Sequence, residues 1–252
     1  MKNTAEKAFW RDAAGALPNS IALAYATLGH LLGLYLLVQS SAAAFIAGIA
    51  LTAHTLVIAG YLVHECAHMT LFRSRRVNAQ TGEVLLWLLG AAYASFARVQ
   101  HMHLRHHLDR ADLSLFDYQA FLQRQPRWVG RLVVALEWAY IPAVELIMHG
   151  QVIFRPFFEE RLHVHRRRVV AVLASRIAMF VVLFELSPWA VAGYALAYLI
   201  LLQALFLGDA FAHTYDAFFI DDATQPVPGM DGIGPMTCST PTPTCSLPGG
   251  RG

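Results

Sequence analysis

His64-Glu65-Cys66-Ala67-His68 and, further on, His101-Met102-His103-Leu104-Arg105-His106-His107 are the stretches from which the rest of the chain is read. On a helix, side chains three and four positions apart share a face. His64 and His68 therefore form one pair of imidazoles, and His103, His106 and His107 form a second group. Neutral imidazole is a ligand for iron, zinc, copper and nickel, so five ring nitrogens delivered by two helical segments predict a metal site. His101 stands about 200° around the helix from His103 and is expected at the surface or behind the ligands. Isolated histidines such as His30 and His54 are expected to be packing residues.

The segments that flank these motifs are those of a bilayer protein. Of 252 residues, 56% are hydrophobic and 14% charged, with a mean hydropathy of +0.45, whereas soluble domains usually carry about 25% charge. Four apolar runs, 18–38, 42–63, 169–184 and 188–207, are read as crossings of the hydrocarbon. The second ends in His64 and so carries the first imidazole pair to a membrane surface. The fourth runs into Asp209-Ala210-Phe211-Ala212-His213, where Asp209 and His213 are again four apart. The expected fold class is all-α: a multi-pass integral membrane protein with four transmembrane helices, plus cytoplasmic or interfacial helices that carry histidines.

Charge sets the expected orientation. Fourteen of the nineteen Lys and Arg residues fall between Arg73 and Arg168, and all fourteen are arginine. Basic residues accumulate on the cytoplasmic side, which puts this section, the N-terminal segment 1–17 and the metal site on the cytoplasmic face of the membrane, and the use of arginine over lysine points by composition to a bacterial plasma membrane. Within the section, 84–96 is apolar but too short to span and reads as interfacial or re-entrant. Residues 128–148, with Arg131, Glu137 and Glu145, read as a helix lying on the membrane or packed over the site. Arg176, inside the third run, is expected to meet an ion pair or carbonyls. Residues 224–252 hold six of the eleven prolines and six of the seventeen glycines. Disorder is expected there, which leaves 18–223 as the membrane domain. The three cysteines, Cys66, Cys238 and Cys245, form no disulfide framework. No removable secretory signal is expected over 1–12, and the net charge of +2 gives no reason to expect a nucleic-acid partner.

The order H-x-x-x-H (His64, His68) then H-x-x-H-H (His103, His106, His107), between paired spans, resembles the membrane fatty acid desaturases, the histidine-box di-iron oxidases, over roughly residues 18 to 216. His103 to Asp112, H-L-R-H-H-L-D-R-A-D, is similar to the second box of bacterial members. Asp209-x-x-x-His213 is similar to the place where acyl-CoA desaturases carry an asparagine before an additional histidine ligand. The resemblance implies two iron ions (Fe2+) held by His64, His68, His103, His106, His107 and His213. Asp209, Asp109 and Asp112 would stand behind them to fix imidazole tautomers. It also implies dioxygen as co-substrate, a fatty acyl lipid as substrate among membrane lipids, and electrons from ferredoxin with its reductase. An alkyl C–H bond offers no acidic proton, so a redox metal suits such a reaction. The family's third box, a further H-x-x-H-H after the fourth span, has no counterpart, since no histidine follows His213. A di-iron site short of ligands is what this implies, and with it a truncated or frameshifted reading, an inactive relative, or completion by another chain.

Three other readings share these motifs. A lipid or carotenoid hydroxylase or ketolase of the same superfamily would carry the same boxes. His64-Glu65-x-x-His68 is also the H-E-x-x-H of zinc metalloproteases, with Glu65 activating a metal-bound water, although one zinc with three protein ligands has no use for the second histidine group. A non-catalytic membrane protein that binds lipid or a partner enzyme is the third.

Overall fold

The structure, a computed structural model, describes residues 9–212 and 216–219. Where no water can satisfy backbone amides, a chain crosses only as helix or closed barrel, and this chain crosses as helix. Helices over Ala16–Leu37, Ala42–His68, Glu160–Leu186 and Pro188–Gly208 are each long and apolar enough to span a bilayer. The protein is an all-α integral membrane protein. In chain order the elements are α1 (Ala16–Leu37), α2 (Ala42–His68), α3 (Arg75–Leu89), α4 (Phe96–Asp109), β1 (Ala111–Ser114), α5 (Tyr118–Gln123), α6 (Arg127–Trp138), α7 (Ala143–Phe158), α8 (Arg166–Leu186), α9 (Pro188–Ala212) and β2 (Asp216–Phe219). A tighter turn, Glu160–His165, leads into α8.

α1 and α2 form a close hairpin. A Cβ on Gly48 would sit 2.8 Å from the Leu37 amide nitrogen, and one on Gly33 would sit 3.0 Å from that of Thr52. Small residues are what let two helices approach this closely in lipid. Outside the hairpin, the Arg11 amide donates to the Leu71 carbonyl at 2.9 Å and the Arg73 amide to the Phe9 carbonyl at 3.2 Å. Phe9, Trp10 and Phe72 pack there with ring centroids 4.8 to 5.5 Å apart. The chain before α1 and the chain after α2 thus lie together at one face, as two crossings between them require.

Two apolar stretches end differently from expectation. The run 84–96 is not one helix. Its first residues complete α3, which stops at Gly90 with φ of 75°, and the chain reverses before Ser95 accepts from the Arg98 amide to start α4. A left-handed residue and a side-chain cap interrupt the run. Likewise 128–148 is divided into α6 and α7, bent by 118°. Tyr140 is left-handed at φ 59°, Pro142 cannot continue a helix, and the Glu137 carboxylate accepts from the Val144 amide at 2.8 Å. Arg176 meets carbonyls, as expected. From α8 it donates to the carbonyls of Trp87 and Leu88 in the last turn of α3, where a cation also complements the helix dipole.

The core runs through these joints. Leu56, Leu62 and Cys66 of α2 pack with Leu85, Phe96, Val172 and Leu201 in one buried cluster. At its edge Glu83 of α3 accepts from the Phe96 amide at 3.0 Å and the Trp87 indole at 3.1 Å, and pairs with Arg168. Burial alone pushes the Glu83 carboxyl up, but the Phe96, Arg168 and Trp87 hydrogen bonds outweigh it and hold the group below the usual carboxylate range. The sign follows from linkage: stability from this carboxylate is present above the ordinary value and is lost as pH falls through the depressed folded one. Thermal unfolding of wild type and Glu83→Gln in detergent is expected to differ most near neutral pH and to converge as pH falls through the depressed folded-state range of this carboxyl.

One pairing was not expected. β1 and β2 form a two-stranded parallel ladder, with Ala111 opposite Asp216 and Ser114 opposite Phe219. It ties the chain after the second histidine group to the chain after the fourth crossing.

Candidate metal centre

α2 continues five residues beyond the end expected at residue 63, so His64 and His68 lie on the last turns of the spanning helix itself. It stops at Met69, left-handed at φ 58°. Thr70 closes the end: its amide and hydroxyl donate to the Glu65 carbonyl at 3.1 and 2.9 Å, and the hydroxyl also reaches the Glu65 carboxylate at 2.5 Å. The glutamate of H-E-x-x-H is therefore engaged in capping the helix.

α4 lies across this end and brings the second group to it. Ligand-type nitrogens of His64, His68, His103 and His107 all lie within 4.8 Å of one another, and all four residues are half-buried. His103 is central. Its Nε2 is 2.9 Å from Nε2 of His68 and 3.2 Å from Nε2 of His107, and its ring centroid is 4.4 Å from that of His64. Nitrogens about 2.1 Å from a shared ion stand roughly 3 to 4 Å apart, so this spacing fits ligation. Burial, and then the neighbouring histidines, push the His103 imidazole down to about 3. At neutral pH it offers a lone pair rather than a charge, the form a transition metal needs. The four residues present thus fit a transition-metal ion in donor type and spacing.

The other expected residues are placed as follows. His106 lies beside the cluster, its ring 5.0 Å from that of His107, with Nδ1 2.9 Å from Oδ1 of Asp112. Asp109 accepts from Arg105 at 2.9 Å, so of these two carboxylates Asp112 meets an imidazole and Asp109 a guanidinium. Asp209 stands on α9, near its C-terminal end. His213 and the tail 224–252 lie outside the described residues; α9 ends one residue before His213, and β2 begins at Asp216 beside Ala111. His101 is exposed. His30 is buried next to Tyr194, and His54 bonds the Tyr25 hydroxyl at 2.6 Å.

Gln100 joins the site without having been expected there, although positions 100, 103 and 107 form one helical stripe. Its side-chain amide donates to the Ala67 carbonyl at 2.8 Å, a bond that sets α4 in register with the end of α2. Gln100→Met is expected to cost about 1 kcal/mol of stability and to weaken metal binding by roughly 10- to 100-fold, as loss of a ligand-orienting group does. Unfolding and Co2+ titration of the two proteins check this.

No curated protein and no solved structure gives a match to this chain. The family model described as fatty acid desaturase matches residues 39–242, a stretch that contains both histidine pairs of the cluster and the helices that carry them. Four imidazoles gathered at the membrane end of a spanning helix are what that family's boxes lead one to look for, and this chain belongs to the fatty acid desaturase family.

Proposed function

We propose that this protein introduces a double bond into a fatty acyl chain using dioxygen, with two iron ions held by His64, His68, His103 and His107 together with His106 and His213. The observation that carries the reading is the four-imidazole cluster on α2 and α4 in a chain of this family. Iron, when bound, supplies the one-electron and dioxygen chemistry that an unactivated CH₂ group needs.

The protein's own residues supply position and protonation. The end of α2 fixes the depth of the cluster, so a substrate chain can reach it without leaving the lipid. The Asp112 carboxylate accepts a hydrogen bond from Nδ1 of His106, which leaves the lone pair on Nε2 to face a metal. Asp109 and Asp209 are proposed to act behind the ligands, Asp109 through its bond to Arg105. The concentration of arginine between Arg73 and Arg168 supports a cytoplasmic metal site in a bacterial plasma membrane. Electrons would reach it from a separate carrier such as ferredoxin with its reductase.

The zinc-protease reading gains nothing from the fold, since the Glu65 carboxylate is engaged by Thr70 and four imidazoles converge where three ligands suffice. The test is expression of the full chain in a host that lacks the corresponding double bonds, with gas chromatography of total fatty acids and metal analysis of the purified protein. New unsaturated chains and two irons per chain are expected; a folded chain that holds fewer than two irons and forms no double bond would be the inactive relative that the missing third H-x-x-H-H implies. One tightly held zinc, with proteolysis lost in Glu65→Gln, would overturn the reading, and hydroxylated chains in place of alkenes would move it to the hydroxylases.

A further inference from the structure

Between α7, α8 and α9 lies a line of polar rings that metal binding does not use. Tyr194 and Tyr198 stand four apart on α9, and their rings stack with centroids 6.5 Å apart. His149 of α7 lies edge-on between Tyr198, at 6.1 Å, and Tyr93 of the turn between α3 and α4, at 5.9 Å. The Tyr198 hydroxyl is 3.0 Å from Nε2 of His149. Tyr194, only 3% exposed, meets a cation instead: Arg176 donates to its hydroxyl at 3.4 Å.

Ionisable groups inside a membrane protein are by default candidates for function. A phenol hydrogen-bonded to an imidazole has a particular capacity. Once a phenol loses an electron it becomes a strong acid, so its proton leaves to any base within hydrogen-bond reach. Nε2 of His149 is such a base, at a distance across which a proton passes. Tyr198 can therefore give up an electron without leaving a charge on its own ring. Tyr194 is unsuited to this, because its hydroxyl faces a guanidinium and a neighbouring positive charge opposes removal of an electron. Packing joins the line to the metal centre. Tyr93 and Tyr198 both pack against the core cluster that holds Cys66 and Ala67 of the first histidine motif, and Phe96, the first residue of the helix that carries His103 and His107.

We infer that Tyr198 and His149 form a redox-active pair, which supplies one electron when the iron centre has reacted with dioxygen but holds no acyl chain. That use of the pair rests on the reaction proposed above; the capacity of the pair does not. In the step the Tyr198 O–H bond breaks. Its electron reduces the oxidised iron centre, its proton adds to Nε2 of His149, and a neutral phenoxyl radical is left facing an imidazolium. An electron from the carrier that serves the iron later reduces the radical, and the proton returns from Nε2. The oxidising equivalent thus falls on a side chain that recovers rather than on the ligand imidazoles.

The pair is tested first without iron. The full chain is loaded with Zn2+, which has no redox chemistry of its own, and oxidised with a flash-excited ruthenium tris(bipyridine) complex and persulfate while electron paramagnetic resonance is recorded. A long-lived phenoxyl radical is expected, with a hydrogen-bonded proton at its oxygen that exchanges in D2O. The signal should be lost in Tyr198→Phe and in His149→Phe and kept in Tyr194→Phe. If His149→Phe fails to fold, the exchangeable proton on the wild-type radical decides alone. A hydrogen bond that serves only packing gives no long-lived radical, and that result overturns the inference, as does a radical that lacks the proton or survives in folded Tyr198→Phe. The iron-loaded chain, reduced and then mixed with oxygen in the absence of lipid substrate, should show the same radical, and Tyr198→Phe should show oxidised histidines by mass spectrometry in its place. Double bonds formed in cells with no radical in the iron-loaded chain keep the reaction and overturn this use of the pair. A flash-generated radical with neither double bonds nor an oxygen-driven radical keeps the pair and overturns the reaction.

Discussion

Replacing His103 with alanine is expected to abolish metal binding while the fold persists. The side chain stands between the two helices that build the cluster, with nitrogens of His68 and His107 at 2.9 and 3.2 Å and the His64 ring packed against it. Removing it leaves α4 with His107 alone in the cluster and takes away the shortest imidazole contact between α4 and α2. The loss should exceed the roughly 10- to 100-fold that follows from removing a group behind a ligand. Without metal the cost is small. His103 is half-buried, and alanine relieves the crowding of four imidazoles rather than opening a void in the apolar core, so unfolding of the metal-free protein should move by no more than about 1 kcal/mol. His101→Ala, on the exposed side of the same helix, should bind metal as wild type does. Metal content after purification, read beside circular dichroism, makes the comparison. A folded His103→Ala chain that keeps its full metal would mean that the cluster is packing and not a site.

Helical spacing made much of this centre legible before any coordinates. His64 with His68, and His103 with His107, are pairs four apart, and a helix puts such pairs on one face whatever surrounds it. Spacing could not say how the three histidines of the second group are arranged. His103, His106 and His107 look equivalent in the sequence, but the left-handed turn at Arg110 brings Asp112 back to His106, which lies beside the tightest group and not within it. Hydropathy marked the four crossings but placed their ends poorly. The second helix runs on to His68, because polar histidines at a membrane face do not end a helix; a left-handed residue does. Hydropathy gave no role to Gly33 of α1, which is a contact that brings the Thr52 backbone close. The β1–β2 ladder left no signal, since four-residue strands far apart in sequence carry too little pattern to be paired.

Gly82→Ala should be the most damaging glycine-to-alanine change among the described residues. In a helix interior, alanine normally stabilises relative to glycine by roughly 0.5 to 1 kcal/mol, and on α3 the sign is expected to reverse. A Cβ on Gly82 would fall 2.1 Å from Cε2 and 2.3 Å from Cδ2 of Phe96, a ring only 2% exposed and hemmed in by the core. Neither helix can yield without loss, because the Phe96 amide is held by Glu83, one residue along α3 from the glycine. Overpacking of this kind costs about 1 to 3 kcal/mol. Its effect reaches the metal: Phe96 is the first residue of α4, and the helix that shifts to spare the ring carries His103 and His107 with it. Gly82→Ala should therefore lower unfolding temperature and metal affinity together, whereas a surface change lowers neither. Phe96→Leu alone leaves a void and also destabilises, but it makes room for the added methyl. The double variant should be more stable than the sum of the two losses predicts, the non-additivity expected of residues in contact. Losses that simply add would show that the ring and the glycine do not meet as described, and that α4 is positioned by something other than this packing.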